Sequence, residues 1–168
     1  MNTMHTLDNT DRRHPLLPKP LSMPLKIIPA RFHSTALVAL LNRIFSRDLL
    51  EGELDFMQDR VLRICVEDTG IEYRFTVDEN RFVACNPNQP ADLLLKGTVY
   101  DYLLLASRRE DTDTLFFSRR LRLEGDTELG LYVKNFLDGL DMDSHKLPGY
   151  FETVLQKSLP VYERLFGK

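Results

Sequence analysis

"DTLFFSRRLRLEGDTELGLYVKN", residues Asp113 to Asn135, decides the reading of this chain. Arg120, Leu121, Arg122 and Leu123 alternate with the two-residue period of a strand that has one dry face and one wet face. Leu121 and Leu123 are expected to face inward, Arg120 and Arg122 to face solvent. The preceding "DTDTLFF" reads as a turn of helix or a loop that drives Phe116 and Phe117 toward the interior. After Gly125, Asp126 or Thr127 caps a helix, and Glu128 in its first turn favours the helix dipole. Leu129, Tyr132/Val133, Phe136/Leu137 and Leu140 form its apolar stripe. The stretch is a strand handing over to a helix that lies across the same apolar face.

Working outward, residues 34–50 carry helical spacing at Leu37, Leu40/Leu41, Ile44/Phe45 and Leu49, with Ser34 or Thr35 as cap and Gly52 just past the end. "RVLRICVED" aligns Leu62, Ile64 and Val66 on one face. "IEYRFTVD" sets Ile71, Tyr73, Phe75 and Val77 against Glu72, Arg74, Thr76 and Asp78. Alternation this clean predicts antiparallel strands with one face covered. "DEN" turns into the strand "RFVAC", and the loop "NPNQP" leads to the strand "ADLLLKG". Thr98 and Asp101 form a capping signature for a helix through about Arg109, with Val99, Tyr102, Leu103 and Ala106 along one stripe.

The ends differ from this body. Five prolines between Pro15 and Pro29 exclude a continuous helix at residues 1–33, an arm mixing Leu, Ile and Met with lysine and arginine. Residues 145–168 form an amphipathic tail with Phe151, Val154/Leu155, Leu159, Tyr162 and Leu165/Phe166 at helical spacing, and Pro160 is expected to kink or split it. The folded domain is then 34–144. Of the net charge of −3, residues 1–35 hold +3 and 145–168 hold +2, leaving −8 on the body. An acidic body offers phosphate no general attraction, which argues against a nucleic-acid partner. Basic, apolar ends suit an anionic bilayer surface.

Catalytic and metal chemistry find no constellation. His5, His14, His33 and His145 lie outside the expected strand-and-helix body, and none pairs with another at metal-ligand spacing. Nucleophile elbow, phosphate loop and HExxH are all missing. Cys65 and Cys85 lack the spacing of a zinc or redox pair and read as small core residues in a reducing cytoplasm. The acidic clusters read as solvated turns. No catalytic residue, metal or cofactor is expected, and the longest apolar runs, such as "ALVALL", are too short to span a bilayer. What remains is apolar volume: sixteen Phe and Tyr, many along one sheet face. They either pack a core or wall a cavity for an apolar ligand, and patterning alone leaves both open.

"LFFSRRLRLEGDTELGLYVKNFL" resembles the signature of the sterol carrier protein type 2 family, a paired-Phe segment entering a glycine-ended strand and then a helix. The likeness runs without gaps from Leu115 to Leu137 and aligns Phe116, Phe117, Leu121, Gly125 and Leu129 with family positions. It implies an α+β fold: a five-stranded, largely antiparallel sheet with helices covering one face and an apolar lipid tunnel between. It also implies lipid binding without catalysis. Within the family, "EDTDTLFFSRRLRLEGDTELGLYVKN" and the arm "LSMPLKIIP" are similar to bacterial accessory factors of ubiquinone biosynthesis. That likeness implies a polyprenylated quinone precursor or a phospholipid as ligand. As partners it implies the peptidase-like hydroxylation proteins of the oxygen-independent pathway. Asp126-Thr127-Glu128 and Tyr132 depart from the broader family at the expected tunnel mouth and argue against a sterol.

On this reading an elongated cavity lies between the sheet and helices 34–50 and 127–140. Its lipid wall is Phe45, Tyr73, Phe75, Tyr102, Phe116, Phe117, Leu129, Tyr132, Val133 and Phe136. Each methylene buried there contributes about 0.8 kcal/mol. Lys26, Ile27, Ile28, Phe151, Leu155, Tyr162 and Phe166 are the expected membrane-docking residues of a cytoplasmic protein that is peripheral at the inner membrane. The competing arrangement folds both ends onto the domain, with the tail as a lid. The rival function is a filled-core scaffold that recruits biosynthetic enzymes without carrying lipid.

Overall fold

A computed structural model describes residues 30–139, 157 and 160–165. Five strands form one mixed sheet: β1 (Leu62–Val66), β2 (Ile71–Asp78), β3 (Arg81–Ala84), β4 (Leu93–Gly97) and β5 (Arg122–Gly125). Their spatial order is β3-β2-β1-β4-β5. All neighbours are antiparallel except β1 and β4, which run parallel with Leu62 opposite Leu93 and Ile64 opposite Leu95. The sheet is therefore largely antiparallel, as the alternating strands predict. Glu79 and Asn80 take positive φ (42° and 58°), the left-handed pair that a two-residue hairpin between β2 and β3 requires.

Register puts the predicted inward residues of the paired strands on one face. Leu62 pairs with Phe75, Ile64 with Tyr73, and Leu95 with Leu123. The opposite face is ionic: Glu72 bridges Arg63 and Arg74 at 3.2 Å each, Lys96 meets Glu124 at 2.7 Å, and Arg122 pairs with Glu67. Helices thus have one apolar surface to cover. The elements that do so are α1 (Ala30–Ile44), α2 (Ser46–Glu51), a 3-10 turn (Asp55–Met57), α3 (Val99–Ala106), α4 (Thr112–Phe117) and α5 (Thr127–Gly139).

The expected single helix at 34–50 is two. It begins at Ala30, directly after Pro29, so Ser34 is a buried residue inside α1 rather than its cap, and His33 belongs to the folded body. At Phe45 the backbone (φ −100°, ψ 22°) bends the path into α2, which Gly52 closes at φ 80° as expected. The side chain of Asn42 fixes α1 to the sheet border, donating to the Phe82 carbonyl (2.9 Å) and accepting from the Phe82 N–H (2.8 Å).

The capping box at α3 is complete: Asp101 Oδ2 accepts the Thr98 N–H at 2.9 Å, and Thr98 Oγ1 accepts the Asp101 N–H at 3.3 Å. This helix stops at Ala106, short of the expected Arg109, because Arg108 adopts φ 51°. Asp111 caps α4 through the N–H groups of Asp113 and Thr114. Asp126 caps α5 by accepting the Leu129 N–H at 3.0 Å. Gly125 is required between β5 and α5: its φ is 123°, and a Cβ there would sit 2.4 Å from the Asp92 carbonyl oxygen. Arg60 closes the same junction with ion pairs to Asp92 (3.3 Å) and Asp126 (2.6 Å).

Three inward or outward assignments are corrected. Arg120 does not face solvent; it lies ahead of β5, outside the strand's alternation, and turns beneath α3 to pair with buried Asp101 at 2.8 Å. Phe117, expected inside, is 85% exposed, because the buried position of short α4 goes to Leu115. Cys65 and Cys85 are free and half-buried rather than core residues; Cys65 lies between Glu72 and Lys96 on the ionic face of β1.

Two predictions follow from these contacts. Asp101→Ala removes a helix cap and strands Arg120, so urea unfolding should show a loss of about 3–5 kcal/mol. Arg122→Ala, on the half-exposed ionic face, should cost less than about 1 kcal/mol. Equal losses would contradict the burial of the Asp101–Arg120 pair. The second concerns pH. The Leu129 N–H, with Arg60 beside it, holds the Asp126 carboxyl below the usual carboxylate range. A depressed folded pKa gives stability that is present above the unfolded value, near pH 4, and is lost as pH falls through the folded value. Asp126→Asn keeps a cap acceptor but cannot titrate. Its urea midpoint should therefore drop less than that of the natural protein between neutrality and about pH 3, and parallel curves would refute the assignment.

Candidate lipid-binding site

Two packed clusters leave a gap between them on the dry face. The first gathers Leu49, Leu54, Met57, Leu62, Phe75, Val77, Phe82, Leu93, Leu129 and Val133, under α1, α2 and α5. The second is Leu95, Leu104, Leu115 and Leu121, under α3 and α4. Between them lies an apolar cavity of about 630 Å³, within the range of small-molecule pockets. Its floor is Ile64, Val66, Tyr73 and Leu95 of the sheet. One wall is Leu37, Leu41, Ile44 and Phe45, and the other is Val99, Tyr102, Leu103, Leu105 and Ala106 of α3. Arg108, Glu110, Asp111 and Thr112 contribute from the α3–α4 connection, and Leu137 and Asp138 from the end of α5. Exposure of Arg108, Asp111 and Asp138 marks this side as the mouth.

Of the ten residues predicted for the lipid wall, Phe45, Tyr73 and Tyr102 line the cavity. Phe75, Leu129 and Val133 are buried in the first cluster instead. Phe136 is half-buried and stands behind the wall, edge-on to Phe45 with centroids 5.6 Å apart. Phe116 is half-buried against the second cluster, and Phe117 faces outward. Tyr132 is 48% exposed and stacks on Phe56. The cavity therefore lies between α1 and α3, not between α1 and the length of α5. The missed wall was visible in the composition of α3: "VYDYLLLA" is too uniformly apolar for a helix that packs by one stripe. Its predicted stripe of Val99, Tyr102, Leu103 and Ala106 is the cavity side, while Leu104 and Asp101 are the buried residues.

The two tyrosines of the wall differ. Tyr102 places its hydroxyl 3.0 Å from the Leu95 carbonyl oxygen and 3.2 Å from that of Cys65, tying α3 to the parallel pair, and burial pushes its pKa well up. Burial also raises Tyr73, whose hydroxyl makes no hydrogen bond to the described residues. At the mouth, Asp111, Asp113 and Asp138 bring carboxylate oxygens within 4.8 Å of one another. Asp113 pairs with Lys134, and hydrogen bonding to Thr114 holds Asp111 low.

Among the predicted docking residues, Lys26, Ile27, Ile28, Phe151, Leu155 and Phe166 lie outside the described residues. Tyr162 is described, and it is 7% exposed, stacked on Tyr100 at 5.7 Å with its hydroxyl 3.5 Å from Asp68. Glu163 accepts from the Tyr100 hydroxyl at 2.8 Å and pairs with Arg109. Residues 160–165 are helical and rest on the domain through this face, which withdraws Tyr162 from a membrane-facing role. No helix among the described residues is long and apolar enough to cross a membrane.

This placement separates two phenylalanines that the sequence treated alike. Phe45→Ala truncates a ring packed on Phe82 and Phe136 and should cost about 3 kcal/mol. Phe117→Ser should change stability by no more than about 0.5 kcal/mol. Chemical denaturation of both variants checks the contrast, and a large loss at Phe117 would refute its exposure.

Comparison with known proteins agrees with this fold. Residues 40–138 match the SCP-2 sterol transfer family. The chain is 40% identical over 126 residues to the "Ubiquinone biosynthesis accessory factor UbiT" of Escherichia coli strain K12, an alignment covering 75% of this chain and 72% of the relative. The protein of the same name from Escherichia coli O157:H7 matches equally. Among solved structures, "UbiJ-SCP2 Ubiquinone synthesis protein" superposes with a TM-score of 0.53 at 18% identity, over 64% of this chain and 95% of that one. It shares the five-stranded α+β architecture. The chain belongs to the SCP-2 sterol transfer family.

Proposed function

We propose that this protein is a non-catalytic lipid-binding accessory factor of ubiquinone biosynthesis. It holds the tail of a polyprenylated precursor in the α1–α3 cavity and presents the ring to the enzymes that modify it. The observation that carries this reading is the cavity itself, about 630 Å³ walled by aliphatic and aromatic side chains. A scaffold with a filled core would have no such space. The relatives named as ubiquinone biosynthesis accessory factors support the choice of pathway.

In this reading the peptidase-like hydroxylation proteins of the oxygen-independent route are the receiving partners, and lipid is exchanged at an anionic membrane surface that the protein visits peripherally. The wall supplies affinity by burying methylenes at about 0.8 kcal/mol each, less the cost of association. Phe45, Tyr73 and Tyr102 act there with Leu41, Leu103 and Ala106. Outward-facing Val161 and Leu165 of the tail, and the residues of the two ends beyond the described segment, serve the membrane.

Ala106→Trp tests the proposal, because it fills the cavity from its wall without removing a core contact. Protein purified from its native host is extracted with organic solvent and its lipids identified by mass spectrometry. The natural chain should yield a polyprenylated quinone or precursor, and Ala106→Trp several-fold less at an unchanged melting temperature. A natural chain that yields no prenylated lipid above a mock purification, or a variant that retains a full load, would sink the idea.

A further inference from the structure

The polar groups that line the cavity sit mostly at its mouth and on α3, and one stands on the sheet floor. Arg108, Asp111 and Asp138 stand in water at the mouth. Tyr102 donates its hydroxyl to backbone carbonyls and has no donor left for a ligand. Tyr73 is different. The β1–β2 ladder fixes it opposite Ile64 on the dry face, so the ring cannot leave the floor of the cavity. Its hydroxyl has no hydrogen-bond partner among the described residues.

A pure hydrocarbon filling this space strips water from that hydroxyl and gives nothing back. Leaving a desolvated donor unpaired costs more than a made hydrogen bond gains. A lipid that brings an oxygen to the same depth avoids the penalty. We propose that Tyr73 is the specificity-determining contact of the cavity, donating to an uncharged oxygen acceptor on the bound lipid: a ring carbonyl or ether, or an ester. This rests on the lipid-carrier reading above and adds the chemical class of the ligand.

The test uses the full-length chain and Tyr73→Phe, which removes one oxygen and keeps the ring. Dissociation constants are measured for decylubiquinone, for decylbenzene, which has a similar chain on a ring without oxygen, and for a short-chain phosphatidylcholine. Tyr73→Phe should weaken an oxygenated probe roughly tenfold and bind decylbenzene at least as tightly as the natural chain, which also shows that the variant is folded. A loss confined to decylubiquinone assigns the contact to the quinone ring; a loss confined to phosphatidylcholine assigns it to an ester. Unchanged binding of both oxygenated probes, or an equal loss on decylbenzene, overturns the inference while leaving the carrier reading intact. If the natural protein takes up none of the three, both fall. Tyr102→Phe serves as the contrast: it should lower the melting temperature and shift all probes alike.

Discussion

A sheet with one dry face has to be covered from one side, and the rest of this molecule follows from how that is done. Salt bridges occupy the other face, and the described helices pack on the dry one. The covering helices are pinned by polar groups to different strands. Asn42 grips the backbone of β3, and Tyr102 reaches the carbonyls of β1 and β4. Helices anchored to different strands, one at the β3 edge and one on the parallel pair, are not free to slide together. The floor residues Ile64 and Leu95 therefore meet space rather than a packed helix.

The same geometry accounts for a site that needs no reactive group. Its wall is apolar because it is unfinished core, continuous with a packed cluster on either side. Binding completes burial that folding left incomplete, and the hydrophobic term that stabilises the domain also holds the ligand. Apart from the buried Asp101–Arg120 pair, the charges described above lie mainly at the mouth, on the ionic face and at the Arg60 junction.

The fold was legible in the sequence because period-two alternation survives intact in β1 and β2, and because Thr98, Asp126 and Gly52 punctuate their helices by local chemistry. The site was only partly legible. Lining a cavity and filling a core require the same residue types, so Phe75 and Val133 could not be told from Phe45 and Tyr73 by pattern. What separates them is the bend at Phe45 and the reach of Asn42 across forty residues to Phe82, both long-range facts. Phe117 was misread because a six-residue helix has a single buried position, and Leu115 takes it. Arg120 was misread because it precedes the strand whose alternation seemed to include it.

An apolar space of about 630 Å³ is also missing mass inside the folded envelope. Packed interiors resist compression, and voids are what unfolding eliminates when pressure rises. The empty protein is therefore mechanically soft in a way that its two packed clusters are not. Cargo that occupies the space removes that softness, so the volume change of unfolding becomes a physical record of whether the protein is loaded.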